Sequence, residues 1–473
     1  KSIIEFVSCG PTEKMVEFSV ELAEYYLVSP VVFLRMCSPS VNVVHNGQFG
    51  LGPSLSESNK GSKNVVVYVD ARENRRELIL ENVAKSGSTI IITPESRMRI
   101  ASFLRENGHK VVVIGIDGKI TKDAYLDMRK GNCVVIASRK AIFANVDDLN
   151  SIIVLDDGFE QLRDERTPKF HSVDIAKLRA KKDKSDLTVI TSVPTVVTHD
   201  LNIVDKRTNV SWPQIHIEDL TKTDPTLGLF THIVTRDIKK AKELGVDVAL
   251  ITNNTSLARK LICSKCQNIC TCDNCGHNVM LAENDEQLEC EVCKMTRVKI
   301  CNNCGGINLK KYRKGTKSLT GELEKLFPNA QIVEIDKTKE IDALQLKSSE
   351  QKIFIGTESI FHKRDLLKNI SLFIFLDFDS YLLRPRADAF EQSLVSTTRA
   401  MRVLKKSELH TPILLLTRMP NHEMVIDLLK GDFVSHLTRD LELKKQLGAA
   451  PFRATAQIKV KNGDYEDLIS DLD

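Results

Sequence analysis

Residues 263–304 read CSKCQNICTCDNCGHNVMLAENDEQLECEVCKMTRVKICNNC and hold nine of the 12 cysteines in this 473-residue chain. Eight of the nine form C-x-x-C pairs: Cys263/Cys266, Cys272/Cys275, Cys290/Cys293 and Cys301/Cys304. The two intervening residues let both sulfurs of a pair turn toward one ion, and two such pairs make a closed tetrahedral zinc site with four thiolate ligands. The spacing therefore predicts two structural zinc ions in one compact module.

The spacing leaves open which pairs share an ion. A nested arrangement joins the second pair to the third across 14 residues and leaves the first and fourth pairs to meet. A sequential arrangement joins neighbouring pairs instead. The 14-residue connection is close to the roughly 15–20 residues of common zinc knuckle pairs, which favours nesting.

Other roles for the cysteines fit the pattern less well. No secretory signal is visible, so a disulfide framework is disfavoured, and iron–sulfur clusters do not explain two complete knuckle sets so close together. Cys270 has no partner at knuckle spacing. We expect it to be a small buried side chain or a free thiol, and we apply the same interpretation to Cys9, Cys37 and Cys133.

Outside the cysteine block the chain repeats one pattern. Continuous β-branched runs separated by helical segments indicate parallel sheets covered on both faces. The predicted strands before the block are Val65–Val69, Thr89–Thr93, Val111–Ile116, Cys133–Ala137, Ile152–Leu155, Leu187–Thr191 and Val246–Ile251, and those after it are Gln331–Ile335, Ile353–Ile355, Leu372–Leu376 and Ile413–Leu416. The sequence thus predicts two α/β lobes, with the cysteine block inserted in the second.

The two ends of the chain differ from the lobes. Thr12 is predicted to cap a helix that runs to Tyr26, with Val16, Val20 and Ala23 on one face, and a second helix is predicted over residues 29–37. Residues 47–63 are rich in Gly, Ser and Asn and are predicted to form a linker. The tail is predicted to contain a helix over 438–447 and a strand over 455–460.

Composition limits the class of protein. The chain has 42% hydrophobic residues, enough to bury cores, and a formal net charge of +4, which is close to neutral for this length. At roughly 100–200 residues per domain it should hold about three domains. Its apolar runs are far shorter than the roughly 18 residues of a membrane span, so we expect no membrane contact.

Two basic segments are candidates for nucleic-acid binding. Lys310-Lys311-Tyr312-Arg313-Lys314, followed by Lys317, combines an aromatic ring that could stack on a base with cations that could meet phosphates. The run from Lys177 to Lys184 has five cations. A solvated charged surface explains either segment equally well.

Two α/β lobes suggest an ATP-driven motor, but its phosphate loop is missing. The first predicted strand leads into Asp70-Ala71-Arg72-Glu73-Asn74-Arg75-Arg76, which has neither glycine nor a Lys-Ser/Thr pair. No G-x-x-x-x-G-K-[ST] sequence occurs anywhere in the chain. Asp156-Asp157, at the end of a predicted strand, could hold Mg²⁺ or could be ordinary polar loop residues.

The cysteine block resembles that of the PriA family of bacterial primosomal replication restart helicases. The six-residue step from Cys266 to Cys272 and the fifteen-residue step from Cys275 to Cys290 match that family's array. The resemblance implies RecA-like lobes and nested zinc sites, with Cys263, Cys266, Cys301 and Cys304 on one ion and Cys272, Cys275, Cys290 and Cys293 on the other. It extends from the first helix to Lys459. Further matching segments are Lys314-Gly315-Thr316, Leu326-Phe327-Pro328, Ile335-Asp336, Ile355-Gly356-Thr357 and Leu376-Asp377-Phe378-Asp379.

The chain departs from that family at its nucleotide motifs. The family's Asp-Glu-Glu-His is replaced by Asp156-Asp157-Gly158-Phe159-Glu160, its Gly-Ser-Ala-Thr-Pro is similar to residues 191–195, and its arginine motif is reduced to Arg399-Ala400-Met401-Arg402. The resemblance thus implies a helicase-dead branch, with Asp156, Asp157, Arg399 and Arg402 as a degenerate nucleotide site. Phe6–Pro39 resembles only the last part of the family's N-terminal domain, and Lys1 is not an initiator Met, which suggests truncation.

These observations predict a two-lobed α/β protein with a two-zinc insertion and a small α+β C-terminal piece. The predicted divisions are an N-terminal remnant and linker 1–55, a degenerate lobe one 56–215, the start of lobe two 216–258, the zinc insertion 259–312, the rest of lobe two 313–430 and a C-terminal piece 431–473.

The resemblance implies a cytoplasmic, nucleoid-associated replication restart protein. It would bind branched or single-stranded DNA and other primosome proteins, and would expose a site where the replicative helicase is loaded. The protein itself would hold two zinc ions but neither ATP nor Mg²⁺. The alternatives are an ATP-dependent helicase with an unorthodox nucleotide site, and a protein-binding module that makes no DNA contact.

Overall fold

The computed structural model describes most of the chain. The described residues are 10–39, 62–70, 74–94, 97–115, 119–146, 148–208, 214–252, 260–282, 287–312, 316–335, 350–363, 366–383, 386, 388–405, 409 and 412–453. The predicted strand over 455–460, Cys9, Lys314-Gly315, Asp336 and most of the predicted linker lie outside them. These predictions therefore stay untested.

Lobe one is a seven-stranded sheet flanked by helices. Its strands pair in the order β3-β4-β2-β5-β8-β1-β9, and every pair is parallel. The elements are α1 (Glu13–Tyr25), α2 (Pro30–Cys37), β1 (Asn64–Tyr68), α3 (Arg75–Asn82), β2 (Ser88–Ile92), α4 (Arg97–Glu106), β3 (Val111–Val113), α5 (Lys122–Arg129), β4 (Val134–Ala137), β5 (Leu149–Leu155), β6 (Arg163–Asp164), β7 (Phe170–His171), α6 (Ser172–Asp183), β8 (Asp186–Thr191) and β9 (Asn202–Asp205). The short antiparallel pair β6–β7 stands apart from this sheet.

Both faces of this sheet are covered, as its continuous apolar strands predict. In β1, Val66 and Tyr68 join one apolar cluster, whereas Val65 and Val67 join another on the opposite face. Successive side chains of a strand point to opposite faces, so a strand that is apolar throughout needs a layer on each side. The α/β prediction for this lobe is confirmed.

The two N-terminal helices pack against lobe one. The Thr12 side chain caps α1 as predicted, accepting from the backbone N–H of Met15. The predicted apolar face of α1 is wrong in part: Ala23 is buried, but Val16 and Val20 are each 38% exposed. The larger side chains of Met15, Phe18 and Leu22 are buried against the lobe instead and set the rotation of the helix.

Lobe two begins with β10 (Ile215–Asp219), α7 (His232–Glu243) and β11 (Asp247–Ile251). The cysteine block follows directly as a separate module. Its strands are β12 (Lys260–Cys263), β13 (Val279–Leu281), β14 (Gln287–Cys290), β15 (Thr296–Val298) and β16 (Leu309–Tyr312). β12 pairs antiparallel with β16 to form a stalk, and β13, β14 and β15 form a small antiparallel sheet beyond it.

The chain then returns to complete lobe two. The remaining elements are α8 (Thr316–Leu326), β17 (Gln331–Ile335), β18 (Lys352–Gly356), β19 (Ile370–Phe375), α9 (Asp379–Leu382), α10 (Ala389–Val403), β20 (Ile413–Thr417), α11 (Glu423–Lys430) and α12 (Phe433–Gln446). The strands pair in the order β10-β20-β19-β11-β18-β17, all parallel. Two parallel α/β sheets with an insertion in the second confirm the predicted fold class.

One apolar cluster runs through both lobes. It includes Val66 and Ile152 of lobe one together with Phe373, Leu394 and Val395 of lobe two. A core shared in this way means that the facing surfaces of the lobes pack against each other. The candidate nucleotide residues lie at this seam.

Candidate metal centres and the interlobe cleft

The structure brings the eight knuckle cysteines together in two groups of four. One group is Cys263, Cys266, Cys301 and Cys304, and the other is Cys272, Cys275, Cys290 and Cys293. Within each group the sulfur atoms all lie within 4.8 Å of one another. The arrangement is the nested one, with the second group formed inside the loop that the first group closes.

The sulfur separations suit a tetrahedral zinc site. A Zn–S bond of about 2.3 Å places the ligand sulfurs of a tetrahedron about 3.8 Å apart. The sulfurs of Cys263 and Cys304 are 3.6 Å apart, and those of Cys272 and Cys293 are 3.5 Å apart. Four soft thiolate ligands that converge without an open position suit zinc in a structural role.

The four knuckles share one local turn. In each, the residue four positions after the first cysteine donates its backbone N–H to that cysteine's carbonyl oxygen, at 2.9–3.2 Å. The donor always has a positive φ of 59–70°. These donors are Gln267, Gly276, Lys294 and Gly305. Two are glycine, the residue for which left-handed backbone is least costly.

The two cysteine groups contact each other through polar side chains. Arg297 donates to the Thr271 carbonyl at 3.1 Å and to the Ile300 carbonyl at 2.6 Å. Asn302, next to a ligand of the first group, donates to the Thr271 hydroxyl at 3.2 Å. Thr271 immediately precedes the first ligand of the second group. The two sites are therefore joined into one unit.

The remaining cysteines in the described part of the chain are buried, as predicted. Burial raises the pKa of the Cys270 thiol to about 12 and those of Cys37 and Cys133 to about 11. Thiols that stay protonated are poor ligands and poor nucleophiles. These three belong to the apolar cores of the module and of lobe one.

The two predicted basic segments differ in the structure. Lys310 is exposed on β16, whereas Arg313, Lys314 and the side chains of Lys311 and Tyr312 lie outside the described residues. In the other run, Lys177 contacts Asp200 at 2.9 Å, Arg179 contacts Asp183 at 3.1 Å and Lys182 contacts Glu21 at 2.5 Å. These three cations form ion pairs with carboxylates of lobe one and its N-terminal helices.

Asp156 lies at the seam between the lobes, held by two arginines. Arg75 of α3 lies 2.6 Å from its Oδ2, and Arg402 of α10 donates to both carboxylate oxygens at 2.6 Å. Burial acts to raise the pKa of Asp156, but the two guanidinium groups outweigh it and hold that pKa well below its usual range. The carboxylate stays ionised and occupied by protein cations.

The other predicted nucleotide residues are turned toward the protein interior. Asp157 is fully buried and accepts from the Thr195 hydroxyl at 2.7 Å and the Thr198 hydroxyl at 3.1 Å, and burial raises its pKa. The Arg399 guanidinium lies 4.9 Å from the Phe159 ring centre and 4.7 Å from that of Phe361. The structure thus pairs Asp156 with Arg402 but places Asp157 and Arg399 in separate environments.

The end of β1, where a motor would carry its phosphate loop, is engaged in local contacts. Asp70 accepts from the backbone N–H and the hydroxyl of Thr208, both at 2.8 Å, and Asn74 caps α3. Residues 71–73 lie outside the described part of the chain.

Sequence reasoning missed several residues that build these sites. Arg75 appeared only as part of a run without glycine. Lys260, which pairs with Asp377, and Glu391 and Gln392, which accept from Val196 and donate to Gly158, gave no signal at all. Asp156 and Arg402 are 246 positions apart in the chain, so only folding makes them neighbours. The resemblance placed both residues in one site, but no local spacing rule predicts that they form an ion pair.

Comparisons with known proteins find relatives that match most of the chain. The chain is 24% identical over 416 residues to Replication restart protein PriA of Haemophilus influenzae, covering 81% of this chain and 56% of that protein. It is 24% identical over 425 residues to Replication restart protein PriA of Chlamydia trachomatis, covering 83% of this chain and 55% of that protein. For the protein of the same name from Bacillus subtilis the identity is 19% over 423 residues, covering 82% and 52%.

The chain spans about half the length of these curated relatives. No protein-family model matches it. Within the described residues, no helix combines the length and apolar character needed to cross a bilayer. Parallel lobes, a cysteine-rich insertion in the second lobe and similarity over most of the sequence together make this chain a distant homologue of the replication restart protein PriA.

Proposed function

We propose that this protein acts in replication restart in the cytoplasm. It binds branched or single-stranded DNA and helps expose a site where the replicative helicase is loaded, together with other primosome proteins, without hydrolysing ATP itself. The observation that carries the proposal is the nested pair of four-cysteine groups inserted in lobe two. The name shared by the relatives supports the restart role.

Zinc has a structural role in this proposal. The first group of cysteines would hold one ion at the head of the β12–β16 stalk, and the second group would hold another beside the small sheet. The metal supplies no reaction chemistry and contributes folding energy to a module whose buried core consists mostly of cysteines. The protein residues do the rest: the stalk carries the module, and Arg297 joins its two halves.

DNA binding through the module rests on its charge and position. Residues 259–317 contain 11 Lys and Arg against 6 Asp and Glu. Lys310 is exposed on the stalk, where its ammonium can meet phosphates without first breaking a buried contact. Phosphate contacts of this kind release counterions, so binding should weaken as salt rises.

The absence of ATP hydrolysis is supported by the interlobe cleft. An arginine in a phosphoryl-transfer site acts by meeting charge on the transferred phosphate. Here Arg402 is already matched by Asp156, and the sequence offers no glycine-rich loop to cradle phosphates. A nucleotide would have to displace this ion pair and would find no phosphate loop in its place.

Fork binding measured with and without ATP tests the proposal. We expect nanomolar to micromolar binding of a synthetic fork at low salt, equal affinity with and without ATP and Mg²⁺, and no DNA-stimulated release of phosphate. Absence of fork binding at low salt would favour the protein-binding module.

A second candidate, an ATP-dependent helicase with an unorthodox site, is favoured by one observation. Asp156 and Arg402 meet at the seam between the lobes, which is where a two-lobed motor would hold nucleotide. Saturable ATP binding that is lost in Asp156→Asn, together with turnover stimulated by DNA, would establish that candidate in place of our proposal.

A further inference from the structure

We infer that Arg75, Asp156 and Arg402 form a clasp that holds the two lobes in one relative orientation without nucleotide. In an ATP-driven motor, bound nucleotide draws the lobes together. In this protein a carboxylate of lobe one and a guanidinium of lobe two do so permanently. We further infer that the clasp positions the module of lobe two for DNA, and this second part rests on the proposed function.

The geometry of the clasp is that of a strong ion pair. The two terminal nitrogens of Arg402 each lie 2.6 Å from a different oxygen of Asp156, a bidentate fork that fixes orientation as well as distance. Arg75 takes one of these oxygens from the other side at 2.6 Å. The hydroxyl of Ser192 accepts from Arg75 at 2.7 Å and from Arg402 at 3.1 Å, which closes the ring.

The clasp is shielded from water. The side chains of Arg75, Asp156 and Arg402 are 12%, 11% and 13% exposed. Charges in such surroundings are screened little by salt and interact more strongly than surface charges. Separation of the lobes would break the bidentate pair and lose its Coulomb attraction, and this loss opposes separation.

Two hydrogen bonds along the same seam also hold the lobes together. The Gln392 side chain of lobe two donates to the Gly158 carbonyl of lobe one at 2.9 Å. The backbone N–H of Val196 in lobe one donates to the Glu391 carboxyl of lobe two at 2.7 Å.

Two further ion pairs also join the lobes. Arg163 of lobe one lies 3.2 Å from Asp388, and Arg386 of lobe two lies 3.1 Å from Glu160. The contacts thus extend beyond the clasp.

The seam is also closely packed at one glycine. A Cβ atom added at Gly158 would lie 2.6 Å from Cγ2 of Val395 and 3.1 Å from Cγ2 of Thr195. Val395 belongs to α10, the helix that carries Arg402. The lobes approach so closely here that even a methyl group demands a shift, which offers a way to strain the seam without touching a charge.

A distance measurement between the lobes tests the clasp. Bio-orthogonal spin labels at exposed Ser102 of α4 and Lys240 of α7 avoid the native cysteines. The unaltered protein should give one narrow distance distribution that Mg²⁺ with a non-hydrolysable ATP analogue does not change. Arg402→Gln should broaden it or add a longer distance. A broad distribution in the unaltered protein, or a shift on adding nucleotide, would overturn the clasp.

Two controls separate clasp loss from general damage. Asp127→Asn removes an exposed ion pair to Lys110 within lobe one, and it should leave the interlobe distance unchanged. Arg75→Gln removes the arm of the clasp that lies within lobe one, so its effect should be smaller than that of Arg402→Gln. Equal distributions for Arg402→Gln and Asp127→Asn would contradict the inference.

A steric pair of variants provides an independent test if Arg402→Gln fails to fold. Gly158→Ala should widen the interlobe distance, and the added Val395→Ala should restore it by removing the clashing methyl group. If Gly158→Ala leaves the distance unchanged while the protein stays folded by circular dichroism, the lobes are not held closely at this seam.

The positioning role is read from fork binding of the same variants. Arg402→Gln should weaken binding of a synthetic fork several-fold. Gly158→Ala should also weaken it, and adding Val395→Ala to that variant should restore the affinity. Unchanged fork affinity in a variant whose lobes have separated would overturn the positioning role but leave the clasp intact. Absence of fork binding by the unaltered protein would instead remove the proposed function, and the distance result would still stand.

Discussion

The ammonium nitrogen of Lys260 lies 2.6 Å from a carboxylate oxygen of Asp377, and this contact joins the first strand of the zinc module to the segment that follows β19. Lys260 is only 2% exposed. The Ser380 hydroxyl also donates to Asp377, at 2.5 Å. Burial opposes ionisation of Asp377, but Lys260 outweighs it and lowers the pKa of that carboxyl. The base of the stalk is therefore fixed to lobe two by an ion pair whose cation is buried.

Loss of this pair should destabilise the protein. In Lys260→Met the carboxylate of Asp377, whose side chain is 20% exposed, loses its buried cation, so we expect the free energy of unfolding to fall by roughly 2 kcal/mol. Urea denaturation followed by circular dichroism measures it. Lys222→Met is the control, because Lys222 is 82% exposed and its pair with Asp219 should contribute less than about 1 kcal/mol. Equal losses in the two variants would contradict this role of Lys260.

The metal content should follow the grouping of the cysteines. Elemental analysis of protein purified under reducing conditions should give about two zinc ions per chain. Cys290→Ser should lower this to about one or fewer, because it removes a ligand of the inner site and loosens the module around the outer one. Cys270→Ala is the matched control from the same module and should retain both ions. Zinc near zero in the unaltered protein would refute the metal assignment.

Stability should depend on pH through Glu391. Burial raises the pKa of this carboxyl to about 7, above the value of an exposed glutamate. Between pH 4.5 and about 7 the folded protein therefore holds a proton on Glu391 that the unfolded chain has released. The stabilisation is complete below the unfolded pKa, near 4.5, and is lost as pH rises to about 7.

Glu391→Gln should remove that dependence. Relative to the unaltered protein, we expect the variant to gain stability as pH rises from 5 to 7.5, by up to about 3 kcal/mol. Urea unfolding at a series of pH values gives the difference directly, since other groups titrate in both proteins. Glu423→Gln, at the exposed start of α11, is the matched surface control. A pH-independent difference for Glu391→Gln would show that this carboxyl does not titrate as argued.

DNA affinity should depend on salt through the stalk. Replacing Lys310 and Lys311 by Gln should weaken fork binding at all sequences and reduce the slope of log affinity against log salt by about 2. Fluorescence anisotropy from low to moderate salt measures the slope. Lys222→Gln is the control, because Lys222 is an exposed lysine of the same lobe that does not belong to the stalk. An unchanged slope in the double variant would exclude the stalk as a phosphate-binding surface.

Local rules made much of this protein predictable from sequence. The knuckle turn closes within four residues, so each C-x-x-C pair determines its own geometry, and the four repeat one turn. Continuous apolar runs identified the strands of both sheets except β9 and β10. Those two lie at sheet edges and carry polar residues such as His216 and Glu218, so they lack the buried pattern.

The tertiary structure decided which residues meet across long stretches of chain. The outer cysteine group closes over a separation of 35 residues between Cys266 and Cys301, and spacing alone allowed two pairings. Asp156 could have bound Mg²⁺, faced solvent or met a cation. It meets Arg402 because packing of α10 against lobe one brings their charges together in a site where water cannot compete. Cysteine type and spacing are encoded locally, whereas a choice of partner depends on distances that exist only after the lobes have packed.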